Sequence, residues 1–99
     1  MAKTPEGKVK DAVKKILKEY NAYYAMPMGT GYGNSGVPDF LVCYNGVFIG
    51  IETKAGTNTP TALQIKNLND INKAGGISLV INETNIHELG ETLCQLKSH

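Results

Sequence analysis

The dipeptide Asn45-Gly46 constrains the fold more than any other feature, because a run of strand-forming residues lies on each side of it. Asn-Gly between such runs is the strongest short-range indication of a β-hairpin with a two-residue turn. Pairing outward from this turn predicts four cross-strand pairs: Tyr44 with Val47, Val42 with Ile49, Phe40 with Ile51, and Asp39 with Glu52. The hairpin therefore sets two acidic residues opposite each other.

Three charged residues of the hairpin share one face. Side chains alternate along a strand, so Asp39, Glu52 and Lys54 are expected on the same side. Opposed residues have Cβ atoms roughly 5 Å apart, where two like charges are destabilising. A divalent cation would compensate them, and a salt bridge of Lys54 with both acids is the alternative, although it does not explain why two acids oppose each other. The pattern favours a catalytic metal site.

The N-terminal segment is predicted to be a helix that begins at Thr4-Pro5, a typical N-cap followed by proline at the first helical position. Its apolar residues recur at helical spacing: Val9, Ala12, Val13, Ile16, Leu17 and Tyr20. Glu6 lies above this stripe and has two interpretations. It either complements the helix dipole or points at the sheet near the acidic pair.

The middle of the chain predicts a strand within residues 21–28 and a glycine-rich surface loop over residues 29–36 that orders on a ligand. A second helix is expected from Thr59-Pro60 to about Ala74, followed by Gly75-Gly76. Gln64 lies on the buried side of that helix. It is either a solvated glutamine near a helix start or a polar group that needs a partner.

The C-terminal part predicts a strand over Ile77–Ile81 and a last helix capped by residues 82–84. The strand is a continuous apolar run, which indicates a strand covered on both faces and parallel to the second hairpin strand. The order α-β-β-β-α-β-α predicts one α/β domain spanning residues 1–99, the size of a typical single domain.

Composition leaves several classes of protein open. The net charge is +1 and the chain has no arginine, yet six of ten lysines fall in the first eighteen residues. This basic helix face either binds phosphate backbones or is simply solvated. Cys43 and Cys94 are expected to be small buried apolar residues, and no disulfide framework or zinc site is predicted. The absence of a long apolar run predicts no membrane association and a soluble, cytoplasmic protein.

Three short motifs together resemble a known family of nucleases. Pro38-Asp39 followed by Glu52-Thr53-Lys54 resembles the PD-(D/E)xK superfamily, which has a restriction-endonuclease-like fold with a mixed four-stranded sheet flanked by helices. The segment 35–39, the Glu52-x-Lys54 motif and Thr61-x-x-Gln64 resemble the VRR-NUC family more narrowly. The resemblance covers nearly the whole chain.

The resemblance implies a role for each site residue. Asp39 and Glu52 match the carboxylates that bind Mg²⁺ or Mn²⁺, with the backbone carbonyl of Thr53 as a further metal ligand. Lys54 matches the catalytic lysine. Gln64 matches the glutamine that supports the active site, and Glu6 matches the acid of the first helix, as a further catalytic and metal-binding residue. These roles are implied by the family.

The family also implies a substrate. Its stand-alone members, found in bacteriophages, are homodimers that cleave four-way DNA junctions. The implied protein is a Holliday junction resolvase in the cytosol of a bacterial host, acting on branched DNA and on no small molecule. Alternatives are a flap, nicking or duplex endonuclease of the same fold, a non-catalytic DNA-binding module, or an interaction protein with a structural cation. Four residues are candidates for the dimer contact or the DNA platform: Tyr23, Tyr24, Met26 and Met28.

Overall fold

A computed structural model describes residues 3–28 and 36–98 of the chain. The elements in chain order are α1 (Pro5–Glu19), β1 (Tyr23–Ala25), β2 (Phe40–Tyr44), β3 (Val47–Thr53), α2 (Ala62–Lys73), β4 (Ile77–Ile81) and α3 (His87–Lys97). This is the predicted α-β-β-β-α-β-α order. Except for Gly36, the predicted glycine-rich loop lies outside the described residues.

The sheet is mixed and has the strand order β1-β2-β3-β4. β1 and β2, and β2 and β3, pair antiparallel, whereas β3 and β4 pair parallel. The predicted hairpin register is confirmed from Tyr44–Val47 to Phe40–Ile51. Asn45 and Gly46 both have positive φ angles, 51° and 81°. This geometry matches the right-handed twist of the flanking strands and holds the register.

The hydrophobic core lies between one face of the sheet and the helices α1 and α3. Its fully or nearly fully buried residues come from α1, β2, β3, β4 and α3: Val9, Val13, Leu17, Phe40, Val42, Ile49, Ile51, Ile81, Leu89 and Leu93. α2 covers part of the opposite face, where Gly50 leaves room for the side chains of Ile71 and Pro38. The sheet is thus covered unevenly, and this determines which hairpin residues are buried.

The start of α1 is as predicted. Thr4 is its N-cap and its hydroxyl accepts a hydrogen bond from the Gly7 N–H at 3.0 Å. The predicted start of α2 is wrong by two residues, because Thr61 and not Thr59 caps that helix. Thr61 and Gln64 form a reciprocal capping box, and this pair of hydrogen bonds fixes where the helix begins.

Two predictions of burial are wrong. β4 lies at the edge of the sheet, and its predicted coverage on both faces is incomplete: Ile81 is buried, but Val80 is 37% exposed on the side opposite the core. Both cysteines are exposed. Cys43 pairs with Phe48 on the sheet face away from the core, and Cys94 lies on an exposed part of α3. Among the described helices, none combines the length and hydrophobicity needed to cross a membrane.

Candidate active site

Asp39 is held at the end of the hairpin by Thr53. The Thr53 N–H donates to Asp39 Oδ2 at 2.9 Å, and the Thr53 hydroxyl donates to the same oxygen at 2.6 Å. Two further pairs beyond Phe40–Ile51 in the antiparallel register would set Thr53 opposite Pro38, which has no N–H to offer the Thr53 carbonyl. The N–H and C=O of a strand residue point to the same side. Strand geometry therefore places the Thr53 carbonyl on the β2 side of β3, where Pro38 offers it no ladder donor.

Glu52 is the most unusual residue of the site. It is only 1% exposed, and no donor among the described residues hydrogen-bonds to either of its carboxyl oxygens, although the Asp39 carboxyl is close enough to accept a proton from Glu52. The pKa of Glu52 is raised to about 8, first by burial and then by the hydrogen bond and negative charge of the neighbouring Asp39 carboxyl, while the positive charge of Lys54 opposes the shift. An ionised carboxylate buried without a partner is strongly unfavourable. Glu52 therefore needs either a proton or a cation.

The pKa of Asp39 shifts the other way. Burial alone would raise it, but the two hydrogen bonds from Thr53, a hydrogen bond from the protonated Glu52 carboxyl and the positive charge of Lys10 lower the pKa below its usual value. Near neutral pH, Asp39 is therefore ionised, whereas the adjacent Glu52 carboxyl is mostly protonated. Neighbouring carboxyl groups with divergent pKa values are typical of active sites.

Lys54 lies directly after the last residue of β3 and is half-buried. Its backbone N–H donates to the Ile81 carbonyl at 3.0 Å, which ties this position to the end of β4. Its positive charge favours the ionised form of Glu52. The structure thus brings together Asp39, Glu52 and Lys54 at the end of the hairpin.

Lys10 is a site residue that sequence reasoning missed. Its ammonium lies 3.4 Å from Glu6 Oε2 and 3.9 Å from Asp39 Oδ1. Glu6 therefore does more than complement the helix dipole, because Lys10 lies between it and Asp39. The i,i+4 spacing of Glu6 and Lys10 was the available signal. Within residues 3–28 and 36–98, no three His, Cys, Asp or Glu side chains are grouped as metal ligands.

Gln64 lies in the first turn of α2 and caps it. Its side-chain oxygen accepts from the Thr61 N–H at 2.8 Å, and its own N–H donates to the Thr61 hydroxyl at 3.2 Å. Gly36 packs against the same turn: a Cβ at Gly36 would lie 2.6 Å from the Leu63 carbonyl carbon and 2.9 Å from the Gln64 nitrogen. The segment leading into Asp39 therefore contacts the turn that carries Gln64.

The architecture matches solved structures. One described as "VRR_NUC domain" has a TM-score of 0.78 and 25% sequence identity, covering 90% of this chain and 97% of that one. The chain has a VRR-NUC nuclease fold. A second structure, "VRR_NUC domain protein", has a TM-score of 0.70 and 14% identity, covering 97% and 93% of the two chains. No protein-family model matches the sequence, and no curated protein matches it.

The oxygen atoms at this site fit a hard divalent cation. Asp39 Oδ1 accepts no hydrogen bond from Thr53, and no donor among the described residues reaches either Glu52 oxygen. Strand geometry places the Thr53 carbonyl on the same side of β3 as its N–H, which contacts Asp39. Mg²⁺ and Mn²⁺ prefer carboxylate, carbonyl and water oxygens. A cation here would remove the need to protonate Glu52. Glu6 is paired with Lys10, and within the described residues it is not grouped with Asp39 and Glu52.

Proposed function

We propose that this VRR-NUC domain is a Mg²⁺- or Mn²⁺-dependent, structure-selective DNA endonuclease that works as a homodimer and resolves four-way junctions. One observation carries the metal dependence: the Glu52 carboxyl is buried beside Asp39, which is fixed by Thr53, and no donor among the described residues reaches its oxygens. A buried anion without a partner is strongly unfavourable, and a divalent cation at this position would offset the charge of both carboxylates.

The chemistry follows from the donor set. A bound divalent cation polarises a phosphoryl oxygen and lowers the pKa of a coordinated water. In this proposal Asp39, Glu52 and the Thr53 carbonyl hold the cation. Thr53 also keeps Asp39 in one orientation through its two hydrogen bonds. Lys54 supplies positive charge beside Glu52, where it would orient the attacking water or stabilise charge that develops on the phosphate.

Symmetry supports the homodimer. Paired cuts across a two-fold junction need two active sites related by a two-fold axis. Exposed apolar residues are available for such a contact, since Tyr23 is 72% and Met28 is 82% exposed. The other two candidates are used inside the protomer. Tyr24 lies with its ring centroid 5.8 Å from that of Phe40, and Met26 packs against the core.

Cleavage of a labelled four-way junction beside a linear duplex of matched sequence tests the function, with Mg²⁺, Mn²⁺ or EDTA. Flap and splayed substrates complete the panel. We expect paired cuts in the junction that require the metal and are absent in EDTA. Preferential cutting of flaps or plain duplex would instead identify an endonuclease of the same fold with another substrate. Tight DNA binding with no cutting would identify a non-catalytic module.

The oligomeric state needs a separate measurement. Light scattering at micromolar protein concentration, with and without junction DNA, is expected to give the mass of a dimer. A monomer under both conditions would contradict the resolvase proposal. The remaining alternative would then be an enzyme that nicks one strand with its single active site. Because nicking and paired incision differ on a junction labelled on each strand, the two experiments check each other.

A further inference from the structure

We propose that Lys10 is a positioning residue: it is the internal counter-ion of Asp39 and moves toward Glu6 when a divalent cation binds. Glu6 then acts on the site through Lys10 and not as a metal ligand. The inference rests on the proposed metal-dependent function and concerns how the free protein prepares the metal site. It adds two residues of α1 to a site otherwise built by the hairpin.

The two oxygens of Asp39 have different partners. Oδ2 accepts both hydrogen bonds from Thr53, whereas Oδ1 faces the Lys10 ammonium at 3.9 Å. Because Oδ2 is already engaged by two donors, Oδ1 is the oxygen available to a metal. A divalent cation and the Lys10 ammonium would therefore compete for the same atom.

Lys10 has a second anion within reach. Its ammonium is closer to Glu6 Oε2, at 3.4 Å, than to Asp39 Oδ1. Glu6 is one helical turn before Lys10, so this contact does not depend on the hairpin. The Lys10 side chain is 31% exposed and Glu6 is 39% exposed, which leaves both free to adjust. Lys10 can thus leave Asp39 and remain paired.

This arrangement predicts opposite effects for the two α1 residues. Lys10→Gln removes the competing cation, so the affinity for a divalent metal rises. Glu6→Gln removes the second anion and leaves Lys10 with only Asp39 to pair with, so the metal affinity falls. The effect of Glu6→Gln should disappear once Lys10 is also replaced. A direct metal ligand would behave differently, since its loss would weaken binding with or without Lys10.

The test is calorimetric titration of Mn²⁺ into the DNA-free full-length protein, using the two single variants and the double variant. For Lys10→Gln we expect binding tighter by about 1.5- to 5-fold, the range that corresponds to a partly exposed ion pair. Lys10→Arg keeps the charge and should bind Mn²⁺ as the wild type does. Lys15→Gln is the matched control, because it removes the same charge from an exposed position of α1.

The outcomes separate the two proposals. Unchanged or weaker Mn²⁺ binding in Lys10→Gln would overturn the role of Lys10 and leave the metal site intact. The same holds if Glu6→Gln lowers the Mn²⁺ affinity equally in the protein with Lys10 and in the protein with Lys10→Gln. If the wild type binds no Mn²⁺ at millimolar concentration while its circular dichroism shows a folded protein, the proposed function itself fails. Thermal melts of each variant ensure that affinities are compared between folded proteins.

Discussion

Thr53 donates two hydrogen bonds to one oxygen of Asp39, from its backbone N–H at 2.9 Å and from its hydroxyl at 2.6 Å. The residue between the two charged positions of the Glu-x-Lys motif thereby orients the acid of the Pro-Asp motif. Thr53 is 1% exposed, which limits the access of water to the donor side of these bonds. The Pro-Asp and Glu-x-Lys motifs are therefore connected by the hydrogen bonds of Thr53 as well as by the pairing of the hairpin strands.

Replacing Thr53 by valine removes the hydroxyl and keeps the shape. We expect the free energy of unfolding to fall by about 1–3 kcal/mol, because the Asp39 carboxylate loses one of its two hydrogen bonds from Thr53 in a partly buried site. The pKa of Asp39 should rise toward its usual value, and metal affinity should fall as the carboxylate becomes mobile. Urea denaturation and Mn²⁺ titration measure the two effects.

Thr53→Ser is the matched control for this variant, since it keeps the hydroxyl and loses only a methyl group. It should retain metal affinity close to that of the wild type, with a smaller loss of stability from the missing methyl. If valine and serine variants bind Mn²⁺ equally well, the hydroxyl does not position Asp39, and the backbone N–H alone is sufficient.

Asp39→Asn and Lys54→Ala should each lower the cleavage rate by at least about 100-fold, the scale expected for loss of a principal catalytic group. DNA binding and the fold should persist, because neither residue belongs to the hydrophobic core. Cleavage of the labelled junction, fluorescence anisotropy in Ca²⁺ and circular dichroism check the three parts. Cutting at the wild-type rate by either variant would refute its assignment.

Glu52 predicts an unusual dependence of stability on pH. Its pKa is about 8 in the folded protein and 4.5 without the shift, so the folded state binds the proton more tightly. The resulting stability is fully present below pH 4.5 and is lost as the pH rises toward 8. In EDTA, urea denaturation at a series of pH values between these two limits should show this decline for the wild type.

Glu52→Gln removes the titrating group and is the comparison for that series. The difference in stability between wild type and variant should change by no more than about 1.4 kcal/mol per pH unit, the limit for one proton. Saturating Mn²⁺ should reduce the decline in the wild type, because a bound cation favours the ionised carboxylate. Parallel curves for the two proteins in EDTA would show that Glu52 is ionised in the folded state.

Short-range chemistry made much of the fold predictable. Asn45-Gly46 fixes the turn, and the turn fixes the register of the hairpin that carries the acid pair. Thr4-Pro5 determines the start of α1 in the same local way, because the Thr4 side chain caps the helix and Pro5 occupies its first position. The start of α2 was mispredicted because Thr59-Pro60 and Thr61-Ala62 compete there, and the capping box with Gln64 decides between them. Local signals succeed where a single residue pair determines the geometry.

The rest depends on contacts between distant segments. The approach of Lys10 to Asp39 requires α1 to pack across the sheet, and periodicity alone cannot set that position. The exposure of Cys43 follows from how little of the outer sheet face α2 covers. The role of the Thr53 hydroxyl could not be predicted, because Thr53 occupies the variable position of the Glu-x-Lys motif. Each of these three features is determined by tertiary packing.

Gly36→Ala should be more destabilising than its surface position suggests. Its φ angle is +84°, and a Cβ there would lie 2.6 Å from the Leu63 carbonyl carbon. Gly46 is the matched control, because its φ angle is +81° and a Cβ added to it would have no atom within 4 Å. Both alanine variants carry the backbone strain of roughly 1–2 kcal/mol, but only the first also clashes with α2.

We therefore expect Gly36→Ala to unfold at lower urea than Gly46→Ala, with an additional loss of about 1–3 kcal/mol from the overpacked contact. Metal affinity should also fall in Gly36→Ala, because the segment that leads into Asp39 is displaced. Equal stability of the two variants would mean that the segment moves away from α2 at little cost.

Gln64→Glu separates the capping role of Gln64 from its predicted support of the active site. Glutamate at this position still accepts from the Thr61 N–H, so the capping box remains. A negative charge in the first turn also interacts favourably with the helix dipole, so stability should be unchanged or higher by up to about 1 kcal/mol. Cleavage should nevertheless fall, because a carboxylate lacks the amide donor and repels the DNA phosphate.

Thr61→Ala gives the opposite pattern and completes the comparison. It loses the cap and about 1 kcal/mol of stability, while junction cleavage well below the melting temperature should stay near the wild-type rate. Thermal melts and initial cleavage rates of the two variants, measured at one salt concentration, provide the readout. A Gln64→Glu protein that cuts as fast as the wild type would show that Gln64 serves only to begin α2.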